Sequence, residues 1–296
     1  MKPLLTIFTP TYNRKELLFR CYKSLRKQTS NNFEWLIIDD GSTDGTRESI
    51  YRWINEKNDF SIRYIYQENQ GMHGAHNTAY ENINTELNTC LDSDDYMPED
   101  AVEKICSFWV ENGSEKYAGF AALDIFENGK VIGSKFPEYI KSSTLFDLYN
   151  KNKVIGDKKL IYRSDLTRKY PYPLFEGERY VGLAYKYYKI DKEYELLLMN
   201  EAVCIVEYQQ DGSTNNMLRQ YIKNPRGFAF YRKENLKNKQ GNLIYRLKEN
   251  IHYVSSSIIS KNRDFINESP SKVLTILSIP IGFLLYLYIR KKVRVT

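Results

Sequence analysis

The sequence predicts an α/β fold: a mostly parallel sheet with helices on both faces, followed by a helical region that associates with a membrane. Three observations lead there. Strand and helix patterns alternate regularly through the first third of the chain. That regularity argues for a parallel sheet covered on both faces, and the first strand candidate is a short apolar run. Three strand candidates end in polar clusters, and in open parallel sheets ligands bind beyond the carboxyl ends of the strands.

The elements follow in order. Residues 4–8 are apolar and stop at Thr9-Pro10-Thr11, which reads as a first buried strand. Leu17, Leu18, Cys21, Tyr22 and Leu25 repeat at helical spacing and predict a helix over 16–28. Strands at 33–38, 62–67 and 87–91 then alternate with helices at 47–55, 74–82 and 100–112. A strand pair is expected at 118–124 and 130–133, joined by a turn at Glu127-Asn128-Gly129. Residues 160–163, 170–179 and 194–208 complete the core with mixed structure. Residues 220–272 read as polar and mostly helical. The expected division is one domain over 1–215 and a helical region over 216–296.

Composition narrows the class. The chain has 296 residues, 42% of them hydrophobic, enough for a real core and against wholesale disorder. Its 9 Pro and 15 Gly exclude collagen-like and low-complexity chains. Tyr is abundant at 25 residues, which suits sites where a ring is buried and its hydroxyl stays wet. Cys21, Cys90, Cys106 and Cys204 are scattered, so neither a zinc site nor a disulfide framework is expected, and the chain reads as cytosolic or cytosol-facing. The first residues carry too short an apolar run for a signal peptide.

The formal charge of +6 is unevenly spread. Beyond residue 260 the bases are Lys261, Arg263, Lys272, Arg290, Lys291, Lys292 and Arg294, against Asp264 and Glu268. The run 273–289 carries no charge but contains Pro280 and Gly282. A spanning helix wants about 20 apolar residues, so this run is at the short limit. Spanning would also carry the bases to the side away from the rest of the chain, against the tendency of Lys and Arg to stay cytoplasmic. An interfacial or re-entrant element over 273–296, its bases on anionic headgroups, is therefore expected at the inner face of the cell membrane.

Three constellations carry chemistry. Asp92-Ser93-Asp94 sets two carboxylates one residue apart at a strand end, a pattern suited to a hard divalent cation with oxygen ligands. Asp95 adds like charge, which is costly without a cation nearby. Asp39-Asp40-Gly41-Ser42 runs on through Thr43-Asp44-Gly45-Thr46 between a strand and a helix, with glycines for tight turns and carboxylates to accept from a base or ribose. Thr9-Pro10-Thr11-Tyr12-Asn13-Arg14 offers a ring as a stacking platform.

In this order and spacing the three clusters resemble the family 2 glycosyltransferases of the GT-A fold. The resemblance is specific over 1–125 and looser to residue 208. It implies an inverting transferase that moves a sugar from a nucleotide sugar, most often a UDP-sugar, to a hydroxyl of a glycan or polyprenyl-linked acceptor in surface polysaccharide synthesis. By the same resemblance Tyr12 stacks on the base, Asp40 bonds the base edge, Asp92 meets the ribose side, and Asp94, with Asp92, ligates Mn²⁺ or Mg²⁺ on the diphosphate. Thr9, Pro10, Arg14, Gly71, His76, Asn77 and Ser93 complete the implied donor site. His76 stands where the family usually has Arg, and a neutral imidazole can still donate to an oxygen there. The acceptor needs a general base. Glu178 is the first candidate and Glu176 the second, in Phe175-Glu176-Gly177-Glu178, where the family's usual acidic pair is absent. The donor-rich string at 208–216 resembles segments that close the site in relatives.

Two other classes fit parts of the pattern. A metal-dependent nucleotidyltransferase uses a similar sheet but gives no reason for Asp39-Asp40-Gly41-Ser42. A non-catalytic nucleotide or nucleic-acid binding module would suit the charge and the tyrosines. The acidic strand ends repel phosphates unless a cation intervenes, so no nucleic-acid partner is expected.

Overall fold

The computed structural model describes residues 2–207 and 217–295. The chain divides into two compact units, Met1–Pro171 with Lys186–Gln209 and Tyr172–Tyr185 with Gln210–Thr296. The first unit is built on one sheet of the strands β1 (Leu5–Thr11), β2 (Phe33–Asp39), β3 (Ser61–Tyr66), β4 (Leu87–Cys90), β5 (Tyr117–Ile125), β6 (Ser142–Ser143), β7 (Lys158–Arg163) and β8 (Glu195–Ile205). Their order is β3-β2-β1-β4-β7-β5-β8-β6. The four strands β3, β2, β1 and β4 are parallel, as are β5 and β8. β7 runs against both its neighbours, and β6 runs against β8. The sheet is therefore mixed and mostly parallel.

The first four helices lie where periodicity put them: α1 (Lys15–Leu25), α2 (Thr46–Asn55), α3 (Met72–Asn82) and α4 (Ala101–Asn112). Every residue of β1 is buried, its threonines Thr6, Thr9 and Thr11 included, as in a strand covered on both faces. Ile7 and Phe8 point to opposite faces, as adjacent strand residues must. On one face Ile7, Trp35 and Ile37 share an apolar cluster with residues of α1, α2 and α4. Its densest part is aromatic: Tyr22 of α1 stacks on Trp53 of α2 at 4.7 Å and on Trp35 at 6.1 Å. On the other face Phe8 meets His76 and Tyr80 of α3 edge-on at 5.0 and 5.2 Å. Helices thus cover both faces.

One expected strand is nearly absent. Residues 130–133 contribute a single bridge, Val131 to Ile125. Gly129 and Gly133 both take positive φ, and a Cβ on Gly133 would fall 1.9 Å from the Ile155 carbonyl oxygen. The segment turns to pack there instead of extending along β5. The short helices α5 (Leu145–Asn150), α6 (Ser164–Thr167) and α7 (Ala184–Ile190) follow.

The second unit contains α8 (Met217–Lys223), α9 (Pro225–Leu236), α10 (Leu243–Ile259), α11 (Phe265–Glu268) and α12 (Lys272–Val295). α9 and α10 are joined by a buried ion pair, Arg232 to Glu249 at 2.7 Å, and Glu249 also accepts from Asn235 at 2.9 Å. The uncharged run lies inside α12, one helix that continues through Pro280.

The Trp53 indole fills the centre of the aromatic stack, so Trp53→Ala should cost about 3–5 kcal/mol. Urea unfolding followed by circular dichroism measures it, and a loss near zero would mean that the stack is not part of the core.

Candidate functional site

The parallel register brings the polar clusters to one edge. Thr11 lies opposite Asp39, and Phe8 lies opposite Cys90. The backbone continues the pairing past the strand ends: Asp40 N donates to the Thr11 carbonyl and Leu91 N to the Phe8 carbonyl, both at 2.9 Å. β2 and β4 flank β1, so the second and third clusters leave the sheet about 10 Å apart, two strand spacings, on either side of Thr11 and Tyr12. Tyr12 is half exposed, as a stacking ring must be. Thr9 is fully buried and accepts from Trp35 Nε1 at 2.9 Å, and Pro10 is buried within β1, so both shape the strand end from within.

The loops are tied to one another. Asn13, at φ +51°, donates its N–H to Ser42 Oγ at 2.9 Å and accepts from Thr43 N at 2.7 Å. Asp39 accepts from Ser42 N and from Tyr64 Oη, both at 2.8 Å. Asp40 holds the loop after β3: its carboxylate accepts from Gln67 Nε2 at 2.7 Å and from the N–H groups of Gln70 and Gly71 at 2.8 Å. Gly71 takes φ +81° to turn its N–H there, and Gly41, at φ +91°, lies against Asn69 with 3.2 Å left for a Cβ. Asp40 therefore fixes the loop after β3 at this edge.

The acidic edge is balanced from two sides. Arg14 meets the Asp94 carboxylate at 2.5 Å, with both side chains partly exposed. Beneath them Lys159 of β7 is buried and donates to the Cys90 carbonyl at 3.2 Å. Burial lowers the Lys159 pKa, but the surrounding Cys204, Asp124, Asp95 and Asp92 outweigh it and hold the group well above its ordinary value. Burial pushes Asp95 up to about 7, with Lys159 opposing and Asp92, Asp94 and Asp124 adding to the rise. Asp124, at the end of β5, is raised to about 6 by burial, again against Lys159. Asp92 accepts from Cys90 Sγ at 3.4 Å, and Ser93 is buried between the two acids.

His76 is 2% exposed. Its Nδ1 lies 3.3 Å from Tyr80 Oη and its Nε2 lies 3.7 Å from Cys90 Sγ. Burial, with Lys186 and His73 adding to it, lowers its pKa to about 3 and keeps the ring neutral. It packs behind Cys90 and Asp92, while Asn77 beside it is half-buried. Lys186, itself buried, stands over the Tyr80 ring at 3.8 Å. Burial lowers its pKa to about 7, against Glu81, and sequence position alone does not reveal this amine near His76.

Glu176 and Glu178 belong to the second unit. Glu178 is buried, and its carboxylate accepts from Arg226 N and Nε, each at 3.0 Å, and from Gly227 N at 2.8 Å, capping the first turn of α9. Glu176 is exposed. The string 208–216 lies outside the described residues.

Sequence reasoning missed Lys159, Asp124, Gln67 and Gln70. A charge in a strand otherwise buried was the one available sign of Lys159. The described residues hold no group of three or more His, Cys, Asp or Glu placed to bind a metal. Asp92 and Asp94 still fit Mg²⁺ or Mn²⁺, which bind through one or two carboxylates and complete their shell with water and phosphate oxygens. The Arg14 guanidinium on Asp94 shows that this carboxylate already attracts a cation.

Residues 6–170 match the family model described as Glycosyl transferase family 2. TuaG of Bacillus subtilis (strain 168), named as a teichuronic acid biosynthesis glycosyltransferase, is 30% identical over 210 residues, 70% of this chain and 79% of TuaG. The glycosyltransferase GlyA of Streptococcus pneumoniae is 31% identical over 182 residues, 60% of this chain but only 25% of GlyA. Among solved structures, S. aureus TarS 1–349 in complex with UDP-GlcNAc superposes with a TM-score of 0.62 at 16% identity, covering 99% of this chain and 92% of that one. The mannosyltransferase PcManGT from Pyrobaculum calidifontis, in complex with GDP-Man and Mn²⁺, gives 0.59 at 15%, covering 97% and 88%. At these identities the two structures show a shared fold.

With Lys159 removed, the buried carboxylates lose their counter-charge. Lys159→Met should lower stability by about 3–5 kcal/mol at neutral pH, the usual cost of stripping one partner from a buried ion network. Thermal and urea unfolding read this directly, and a stability equal to the parent's would mean the edge is balanced some other way.

Proposed function

As the chain belongs to glycosyl transferase family 2, we propose that it is an inverting transferase moving a sugar from a UDP-sugar to a hydroxyl of a glycan or polyprenyl-linked acceptor in surface polysaccharide synthesis. The observation that carries this reading is the single sheet edge where β1, β2 and β4 present Tyr12, Asp40 and Asp92-Ser93-Asp94 side by side. Tyr12 supplies the base platform, and Asp40, with the loop it holds, supplies the wall facing the base. Thr9, Pro10, Gly71, His76 and Asn77 shape the pocket behind them.

Asp94 and Asp92 would hold Mn²⁺ or Mg²⁺. Bound there, the ion supplies charge neutralisation for the departing diphosphate. Arg14, paired with Asp94 here, would then face the phosphates. The acceptor oxygen attacks the anomeric carbon opposite the nucleotide: the new C–O bond forms, the bond to the diphosphate breaks, and the hydroxyl proton passes to a carboxylate. Glu178 and Glu176 are the candidates. Both Glu178 oxygens are occupied by donors of α9, whereas Glu176 is open, which favours Glu176 as the base and Glu178 as the anchor of its segment. α12 and the bases Arg290, Lys291 and Lys292 hold the protein peripherally at the cytoplasmic face of the membrane, near a lipid-linked acceptor.

Calorimetric titration with UDP tests the donor site. Binding should need Mn²⁺ or Mg²⁺ and weaken at least tenfold in Asp94→Asn; metal-independent binding, or binding of oligonucleotides alone, contradicts the reading. Glu176→Gln should lower kcat by about 10²–10⁴-fold with UDP affinity unchanged, while Glu178→Gln should chiefly lower the melting temperature. The reverse pattern would return the base to Glu178.

A further inference from the structure

The second unit has an apolar core around Tyr221, Phe228, Leu236 and Tyr253, yet its last helix presents an inverted surface. α12 turns its small and polar residues inward: Thr275 and Ser278 are buried, and Gly282 lies against Val254 of α10, where a Cβ would fall 2.6 Å from a Val254 methyl. Thr275 Oγ1 donates to Asn250 Oδ1 of α10 at 2.6 Å. The opposite face carries Val273, Leu277, Ile281, Leu284 and Tyr288 at successive turns, all more than half exposed, with Leu277 at 67%. α10 repeats the inversion in part. It buries Glu249, Asn250, Ser255, Ser256 and Ser257 beside Tyr253 and Val254, and its first turn exposes Leu243 and Ile244, the latter at 78%. Between the helices runs an apolar groove of about 590 Å³, lined by Ile244, Leu247, Ile251, Ile281, Leu284 and Tyr288 among others. Helices in water bury apolar stripes; helices in lipid pack through small residues and expose apolar ones.

The charges select the occupant. Lys248, Lys272, Arg290, Lys291 and Lys292 are exposed on these two helices. Their one acid, Glu249, is buried against Arg232. A second copy docked on this face would bring like charges together, whereas an anionic leaflet would neutralise them. The seating of α12 also fixes its posture. It is attached to its own unit from Thr275 to Ile289, which packs with Tyr221 and Phe228, along about 20 Å of helix. α10 carries Arg246, Lys248, Glu249 and His252 and cannot cross a bilayer.

We propose that α10 and α12 together form a monotopic face that lies in the plane of one anionic leaflet, with Leu243 and Ile244 of α10 inserted beside the apolar stripe of α12 and no segment crossing. The proposal rests on the membrane reading above and adds α10 and the in-plane posture to it. It is tested on the full chain by flotation with phosphatidylcholine vesicles, with and without 30% phosphatidylglycerol. The parent should float only with the anionic vesicles. The exposed-face variant Ile244→Glu/Leu284→Glu should lose at least tenfold in vesicle binding and keep its UDP affinity. Dithionite quenching of a fluorophore on Lys272→Cys or on Lys292→Cys, added with the protein from outside, should reach both positions. Flotation of the face variant at parental level, or protection of one labelled position, overturns the in-plane face even if Arg290, Lys291 and Lys292 still prove necessary. A parent that ignores anionic vesicles and elutes as a dimer split by Ile244→Glu/Leu284→Glu overturns both membrane readings and leaves the transferase reading to the UDP titration.

Discussion

Asp92, Asp94, Asp95 and Asp124 crowd one end of the sheet, and the fold tolerates them because cations meet them from below and above. Lys159 is buried beneath, and Arg14 closes on Asp94 from the surface. Like charges gathered at one edge raise one another's proton affinity and repel phosphate. Here the inner acids, Asp95 and Asp124, are pushed toward neutrality, while the outer pair is left partly exposed at the edge. The sheet thus concentrates negative charge where a divalent cation and a diphosphate could offset it. That is the physical basis for the donor site proposed in this member of glycosyl transferase family 2.

The rest of the site is geometry. β1 lies between β2 and β4 in parallel register, so three loops that are far apart in sequence leave the sheet within two strand spacings. Asp40 then fastens the loop after β3, and Asn13 fastens the loop after β2. Hydrogen bonds between loops thus organise this end of the sheet.

Much of this was legible in the sequence. The regular alternation of strands and helices announced a parallel sheet, and the acids and glycines at the strand ends announced the edge. What stayed hidden depended on long-range contacts. Lys159 reads as a polar residue at a strand border, and only the pairing of β7 with β4 places it under Cys90. Glu178 reads as an open loop acid, and only the approach of α9 shows both of its oxygens engaged. His76 reads as a donor ligand, yet the packing of α3 turns it toward Tyr80 and Cys90. Pro280 suggested a broken element, but α12 continues through it because neighbouring helices hold both halves. The helix's inverted surface needed the burial of Thr275 and Ser278 to be seen.

The central proposal is that Asp92 and Asp94, after β4, hold one cation whose nucleotide also meets Asp40 after β2 and Tyr12 after β1. Crystals grown with UDP and Mn²⁺ test it most directly through anomalous scattering at the manganese edge. The account predicts one strong peak within coordination distance of Asp94 and Asp92, with the uracil ring against Tyr12. A peak away from both carboxylates, or a nucleotide bound elsewhere on the protein, would contradict it.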